Sequence, residues 1–102
     1  MHIQIVTFHL KDMSPAEYEQ ACETHFAPAF QQVPGLLSKV WLSDAASNTF
    51  GGVYTWRDRE AMQDYFQSAL FQAVVTHPNL ADITSRDFGV LVNPTRATRG
   101  IG

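Results

Sequence analysis

The stretch that decides the fold is residues 34–66, PGLLSKVWLSDAASNTFGGVYTWRDREAMQDYF. A turn leads into an apolar strand, a polar loop at 44–48 and a second strand at 49–56, after which Asp58 begins an amphipathic helix. The pair Gly51-Gly52 lies inside the strand at 49–56, where glycine is unfavourable because it packs no side chain. We therefore expect something to approach the backbone closely at these two residues.

The flanking sequence completes a β-α-β-β-α-β order. Residues 2–9 read as a strand, and the capping box Ser14-Pro15-Ala16-Glu17 begins a helix that Pro34-Gly35 ends. The second helix can break near Ser68, and the last strand is predicted over residues 82–93. This order predicts an α+β, ferredoxin-like fold, with a four-stranded antiparallel sheet and two helices on one face. We expect a single domain over residues 1–94 and a mobile C-terminal tail over residues 95–102.

The composition narrows the class of protein. The chain has 102 residues, of which 45% are hydrophobic and 17% are charged, as in one soluble globular domain. A net charge of -3 argues against nucleic acid as a partner. No apolar run approaches a membrane span of ~20 residues, and no signal peptide is predicted, so the expected location is cytoplasmic. The single Cys22 is expected in the core, the alternative being a reactive thiol.

Both faces of the predicted sheet are apolar, although the helices cover only one. In the strand at 35–43, one face carries Leu36, Val40 and Leu42 and the other carries Leu37 and Trp41. In the strand at 49–56, one face carries Val53 and the other carries Phe50, Tyr54 and Trp56. In the last strand, Ile83 and Leu91 lie opposite Phe88, Val90 and Val92. At ~25 cal/mol per Å2, leaving several such side chains in water costs a few kcal/mol. We therefore predict a homodimer that packs sheet to sheet, the alternative being a monomer with an apolar surface.

Four segments together resemble a known family. The turn VPGL at 33–36, the strand SKVWLSD at 38–44, GGVYTW at 51–56 and the helix RDREAMQDYF at 57–66 resemble the dimeric α/β-barrel superfamily, and within it the YdhR-like monooxygenases. The resemblance implies a homodimer whose two sheets form a barrel, with a pocket in each subunit between sheet and helices. The superfamily includes cofactor-free monooxygenases, heme-degrading enzymes, isomerases and decarboxylases, and fold analogy transfers architecture better than chemistry.

The catalytic positions of the relatives match this chain in part. The cofactor-free monooxygenases resemble it at Trp56, whereas their asparagine falls at Gly52 and their tyrosine at Met62. The iron-binding histidine of the heme-degrading relatives falls at Val75, and their tryptophan falls at Tyr65. The resemblance therefore disfavours heme, and we expect no cofactor.

His25 is the candidate base. Its spacing from Cys22 places it on the predicted buried stripe of the first helix. An imidazole titrates near neutrality and can accept a proton from a bound phenol or enol. The alternative is a histidine at the edge of the core, hydrogen-bonded to a backbone carbonyl.

An aromatic wall is predicted on the strand at 49–56, because residues two apart point to the same face. Such a wall beside a glycine suits a flat ligand. The alternatives are that these aromatic side chains pack in the core or form the dimer interface. Further candidates lie on the inward stripes of the two helices. The predicted catalytic residues are His25, Tyr54 and Trp56, and the predicted ligand-binding residues are Gly52, Phe26, Phe30, Met62 and Tyr65.

Two cations lie among aromatic residues, Lys39 beside Trp41 and Arg86 beside Phe88. Each can hold a carboxylate or an enolate, or pair with Asp87 or with an acid of a partner subunit. The sequence has no His, Cys, Asp or Glu cluster at the spacing of metal ligands, so no metal site is predicted.

The sequence thus favours a cofactor-independent monooxygenase that acts on a small hydrophobic or aromatic molecule. In this hypothesis, the protein deprotonates its substrate, which then reacts with O2 while water is excluded. The alternatives are a non-catalytic dimeric ligand-binding domain and a cofactor-free isomerase or lyase, with His25 as the proton shuttle.

Overall fold

The structure is a computed structural model, in which residues 1–101 are described. The strands are β1 (His2–Leu10), β2 (Leu36–Asp44), β3 (Thr49–Trp56) and β4 (Leu80–Gly89). The helices are α1 (Pro15–Ala21), α2 (Ala27–Phe30), α3 (Arg59–Phe66), α4 (Ala69–Val75) and α5 (Val92–Ala97), with a π-helical turn at Cys22–Phe26 and a 3-10 turn at Ala45–Ser47. The sheet is antiparallel, in the order β2-β3-β1-β4. The predicted ferredoxin-like α+β fold is therefore confirmed.

Side chains cap the helices where the sequence predicted. Ser14 Oγ accepts a hydrogen bond from the backbone N–H of Glu17 at 3.1 Å, and the Glu17 carboxylate accepts one from the N–H of Ser14 at 2.9 Å. Asp58 accepts from the third residue of α3 at 2.8 Å. Ser68 accepts from the third residue of α4 at 3.1 Å, so the second helix is broken at this residue. Each such cap stabilises its helix by roughly 1 kcal/mol.

The last strand differs from the prediction. β4 runs from Leu80 to Gly89 instead of over residues 82–93, because its partner β1 begins at His2, which pairs with Gly89. Beyond Gly89 the chain has no strand to continue the ladder, and it forms α5. This helix spans residue 94, at which we predicted that the domain ends. The division into a domain and a tail stays a prediction. Residue 102 of that tail lies outside the described residues.

The core lies between the helices and one face of the sheet. Trp56 is fully buried and Tyr54 is 4% exposed, so the aromatic side of β3 faces the helices. The opposite face of the sheet is open: Val40 is 59% exposed, and Ile5 and Phe88 are also exposed. None of the helices over residues 1–101 combines the length and the apolar composition that crossing a bilayer requires.

The two glycines of β3 are explained by close contacts. A Cβ atom on Gly51 would lie 1.9 Å from the backbone oxygen of Val6, and the φ of Gly51 is +156°. A Cβ atom on Gly52 would lie 2.9 Å from Cε of Lys39. The predicted close approach is therefore real, and it comes from the neighbouring strand and from a lysine of the chain itself.

We predict that Gly51→Ala lowers the free energy of unfolding by at least about 3 kcal/mol, because the new methyl group collides with backbone that cannot move aside. The measurement is urea denaturation followed by circular dichroism. The control is Gly89→Ala, where a Cβ atom meets no atom within 4 Å, and its effect should stay within about 0.5 kcal/mol. Equal stabilities of the two variants would contradict the steric argument.

Candidate functional site

A cavity of about 430 Å3 lies between the sheet and the helices α3 and α4. We call it the main cavity. Its lining consists of Gln4, Val6, Tyr54, Tyr65, Phe66, Phe71, Val74, Val75, Leu80, Asp82, Ile83 and Ser85. The walls are mostly apolar and aromatic, with a small number of polar groups, as in typical pockets for small molecules.

A hydrogen-bonded row of side chains positions Gln4 in the wall of the main cavity. Trp56 Nε1 donates to Gln4 Oε1 at 3.0 Å, and Gln4 Nε2 donates to Ser85 Oγ at 3.0 Å. Gln4 is 1% exposed, so its orientation is fixed by these two partners. An amide has two N–H donors and a hydroxyl has one O–H donor. One amide N–H of Gln4 and the hydroxyl hydrogen of Ser85 are therefore available for a ligand oxygen.

Two tyrosines add donors to the same wall. The rings of Tyr54 and Tyr65 lie 6.3 Å apart, and Tyr54 stacks on Trp56 at 5.9 Å with an interplanar angle of 6°. Burial raises the pKa of Tyr54 well above its usual range. Burial also raises the pKa of Tyr65 to about 12, although the interaction with Tyr54 opposes this shift. Both phenols are therefore protonated at neutral pH and act as hydrogen-bond donors.

Asp82 supplies a carboxylate to the lining of the main cavity. It has a positive φ of 56° and is exposed, and it lies where the pairing of β1 with β4 shifts register between Thr7 and His9. Such irregularities reorient side chains at the rims of sheets. The cavity thus combines one carboxylate acceptor with several donors.

Lys39 lies on the other side of Tyr54, in a cage of three rings. Its Nζ atom is 3.4 Å from the ring centroid of Phe30, 3.5 Å from that of Trp41 and 4.5 Å from that of Tyr54. Taking an ammonium out of water costs several kcal/mol, whereas cation–π contacts return about 0.5–2 kcal/mol. The cost is the larger effect, and burial lowers the pKa of Lys39 to about 7.

Within residues 1–101, neither Lys39 nor Arg86 pairs with Asp87, which was one of the predicted alternatives for these two cations. Among residues 1–101 the salt bridges are His2 with Asp87 and Arg57 with Asp58, so Lys39 has no carboxylate within 4 Å. Asp87 Oδ2 lies 2.6 Å from His2 Nε2. The Arg86 guanidinium lies 5.0 Å from the ring centroid of Phe88, on the open side of the sheet.

The main cavity brings together two of the predicted site residues, Tyr54 and Tyr65. Trp56 is fully buried and does not line this cavity, but it holds Gln4 in position through its indole N–H. Met62 is buried in the core. Gly52 makes room for Lys39, and Phe30 belongs to the cage around that lysine.

The remaining two candidates belong to the π-helical turn. His25 is exposed to solvent, so the prediction that it lies on the buried stripe is wrong. The physical reason is that the π-helical turn holds more residues than an α-helical turn, which changes the faces on which the following side chains lie. Phe26 remains half-buried, 5.9 Å from the ring of His77.

Three polar residues of the main cavity were missed by the sequence analysis. The inward position of Gln4 could have been predicted, because Gln4 lies two residues before the buried Val6 and therefore on the same face of the strand. Asp82 and Ser85 carried none, since their placement depends on the register shift between β1 and β4.

Comparison with known proteins gives a family match over nearly the whole chain. The model of a family described as "Putative mono-oxygenase ydhR" matches residues 3–101. A comparison with curated proteins finds no match.

Solved structures share the fold at low sequence identity. A "putative antibiotic biosynthesis monooxygenase" from Deinococcus radiodurans has a TM-score of 0.71 and 22% identity, covering 88% of this chain and 92% of its own. The heme-degrader MhuD from Mycobacterium tuberculosis has a TM-score of 0.71 and 21% identity, covering 91% and 98%. SnoaB, a cofactor-independent oxygenase from Streptomyces nogalater, has a TM-score of 0.67 and 19% identity, covering 88% and 93%.

We predict that Lys39 makes stability depend on pH. Its pKa in the folded state, about 7, is below that of a free lysine, roughly 10.4. Between these values the unfolded chain binds the proton more tightly, so stability rises with pH. Relative to Lys39→Met, the wild-type free energy of unfolding should increase by about 2 kcal/mol from pH 7 to pH 9.

Urea denaturation at the two pH values measures this difference, and Lys11→Met is the control because Lys11 is exposed. If the free energies of unfolding of wild type and Lys39→Met differ by the same amount at both pH values, the amine is not desolvated.

Proposed function

The chain belongs to the ydhR family, and from this premise we propose that it is a cofactor-independent monooxygenase acting on a small hydrophobic or aromatic molecule. The observation that carries the proposal is the main cavity, whose apolar walls hold four donor-bearing side chains and one carboxylate. A phenol or an enol fits this arrangement, because its ring contacts the walls while its oxygen meets the donors.

The proposed reaction begins with proton transfer. The Asp82 carboxylate accepts a proton from the substrate, while the hydroxyls of Tyr54 and Tyr65 and the free N–H of Gln4 stabilise the oxyanion. The electron-rich anion then reduces O2. For an activated methylene group, the balanced reaction converts the methylene and one O2 into a carbonyl group and one water. The apolar walls exclude water from the reactive anion.

The lining of the main cavity does not suit an iron porphyrin. Over residues 1–101 it includes no His, Cys or Met, and Val75 lies in it. The two tyrosines keep their protons at neutral pH, because burial raises the pKa of both. Within the same residues, no group of three His, Cys, Asp or Glu is placed to hold a metal ion. These features argue against heme or a bound metal ion as the cofactor.

The same geometry favours a second candidate function. A carboxylate acceptor facing several donors can move a proton within an enol without consuming O2, as in an isomerase or lyase. In this isomerase or lyase reaction His25 is not the proton shuttle, since its side chain is exposed to solvent. Product analysis under strict anaerobic conditions separates the two reactions. If a ligand stabilises the protein but no substrate turns over, the non-catalytic ligand-binding domain becomes the better description.

We also propose that the protein is a homodimer through the open face of the sheet. In that face Val40 of β2 pairs with Val53 of β3, which in turn pairs with Ile5 of β1, so an apolar row spans three of the four strands and ends at Arg86 of β4. Burying this row against a second copy removes the free-energy cost of exposing its apolar side chains to water.

The cytoplasmic location and the absence of nucleic-acid and membrane partners stay predictions from the sequence.

We predict that Tyr65→Phe lowers kcat/KM for oxygen consumption by about tenfold to a hundredfold, because one hydrogen bond to an anion contributes about 1.5–3 kcal/mol. An oxygen electrode with a panel of phenols and anthrones measures the rate. Tyr18→Phe is the control, since Tyr18 is also buried but does not line the main cavity. The oxygenase proposal is wrong if the wild-type protein consumes no O2 with any member of the panel.

For the dimer, we expect light scattering at micromolar concentration to give twice the subunit mass of 11.4 kDa. Val40→Asp should halve that mass, because it places a charge at one end of the apolar row, inside the proposed interface. Gln63→Asp, on the exposed side of α3, should leave it unchanged. A wild-type mass near 11.4 kDa would refute the dimer.

A further inference from the structure

The caged amine of Lys39 borders a second opening, away from the main cavity. A groove of about 380 Å3 runs between α2 and the edge strand β2, and its lining includes Phe30, Gln31, Leu36, Ser38, Lys39 and Trp41. We call it the lateral groove. On its inner side, the same lysine closes a void of about 20 Å3 next to Gly51. The amine therefore lies where a molecule in the lateral groove can reach it.

The chain holds this amine in place by packing. Cε of Lys39 lies where Gly52 has no side chain, and the rings of Phe30 and Trp41 contact Nζ at 3.4 and 3.5 Å. Among residues 1–101, no carboxylate lies within 4 Å of it. A partly buried amine without a carboxylate partner favours its neutral form. Burial lowers the pKa of Lys39 to about 7, although the nearby Cys22 thiol opposes the shift. Desolvation in an apolar pocket is a known way to activate a lysine as a nucleophile.

We propose that Lys39 is a reactive amine that captures aldehydes and ketones in the lateral groove as imines. The lone pair of Nζ forms a bond to the carbonyl carbon, and the resulting carbinolamine loses its oxygen as water. Overall, one carbonyl group and one primary amine give one carbon–nitrogen double bond and one water, with no oxidation or reduction. The flat faces of Phe30 and Trp41 favour an aromatic carbonyl compound over an aliphatic one of equal size.

This inference goes beyond the proposed oxygenase function, because it concerns a different opening and a different reaction. Neither Asp82 nor Gln4 takes part in it. Oxygen consumption can therefore fail while amine capture succeeds, and the converse also holds.

The experiment exploits the two lysines of the chain, Lys39 and the exposed Lys11. The intact protein is incubated with benzaldehyde and sodium cyanoborohydride between pH 6 and pH 8.5, and peptide mapping by mass spectrometry gives the rate of alkylation at each lysine. At pH 7.5 we expect Lys39 to react at least about tenfold faster than Lys11, because most of a desolvated amine is neutral at that pH whereas an ordinary lysine is almost fully charged. The rate at Lys39 should reach half of its maximum near pH 7.

A variant tests the role of the cage. Gly52→Ala places a methyl group 2.9 Å from the present position of Cε, so the end of the lysine must shift out of its present place among the rings. The rate ratio of Lys39 to Lys11 should then fall to about one, while circular dichroism confirms that the variant is folded. The proposal is overturned if wild-type Lys39 reacts no faster than Lys11, a result that needs no variant. It is also overturned if folded Gly52→Ala keeps the wild-type ratio.

Discussion

The packing of Tyr54 is the constraint on which the interior of this protein depends. Its ring contacts Phe30 edge-on at 5.7 Å, stacks on Trp56 at 5.9 Å and tilts against Tyr65 at 6.3 Å. Each such aromatic pair contributes about 0.5–1.5 kcal/mol beyond burial of area. The same ring forms one wall of the main cavity and one side of the cage around Lys39. The main cavity and the cage around Lys39 therefore share this ring as a common wall.

The buried polar side-chain atoms near Tyr54 each have at least one hydrogen-bond partner. Within residues 1–101, no buried side-chain nitrogen or oxygen lacks a partner. The buried amide of Gln4 finds its partners in Trp56 and Ser85. The indole of Trp56 lies outside the main cavity, but it holds in position an amide that lines the cavity. Buried polar networks of this kind fix one arrangement of the core, since any other leaves a group unsatisfied.

Much of the fold and part of the site could be predicted from the sequence, because both follow from local patterns. The capping box at Ser14 and the alternation that turns Tyr54 and Trp56 to one face of β3 need only neighbouring residues. The exposure of His25 was missed, because the π-helical turn leaves no mark on hydrophobic periodicity. The place of Asp82 was missed for a similar reason: a register shift between two distant strands determines where its carboxylate lies.

The strand order has a consequence for how the chain reaches its native state. β1 occupies a central position in the sheet, and its residue Ile5 pairs with both Val53 and Arg86. β1 is therefore synthesised before both of its partner strands, β3 and β4. Until β4 has emerged, one edge of β1 has no strand to pair with, and such non-local pairing slows folding and exposes the chain to aggregation.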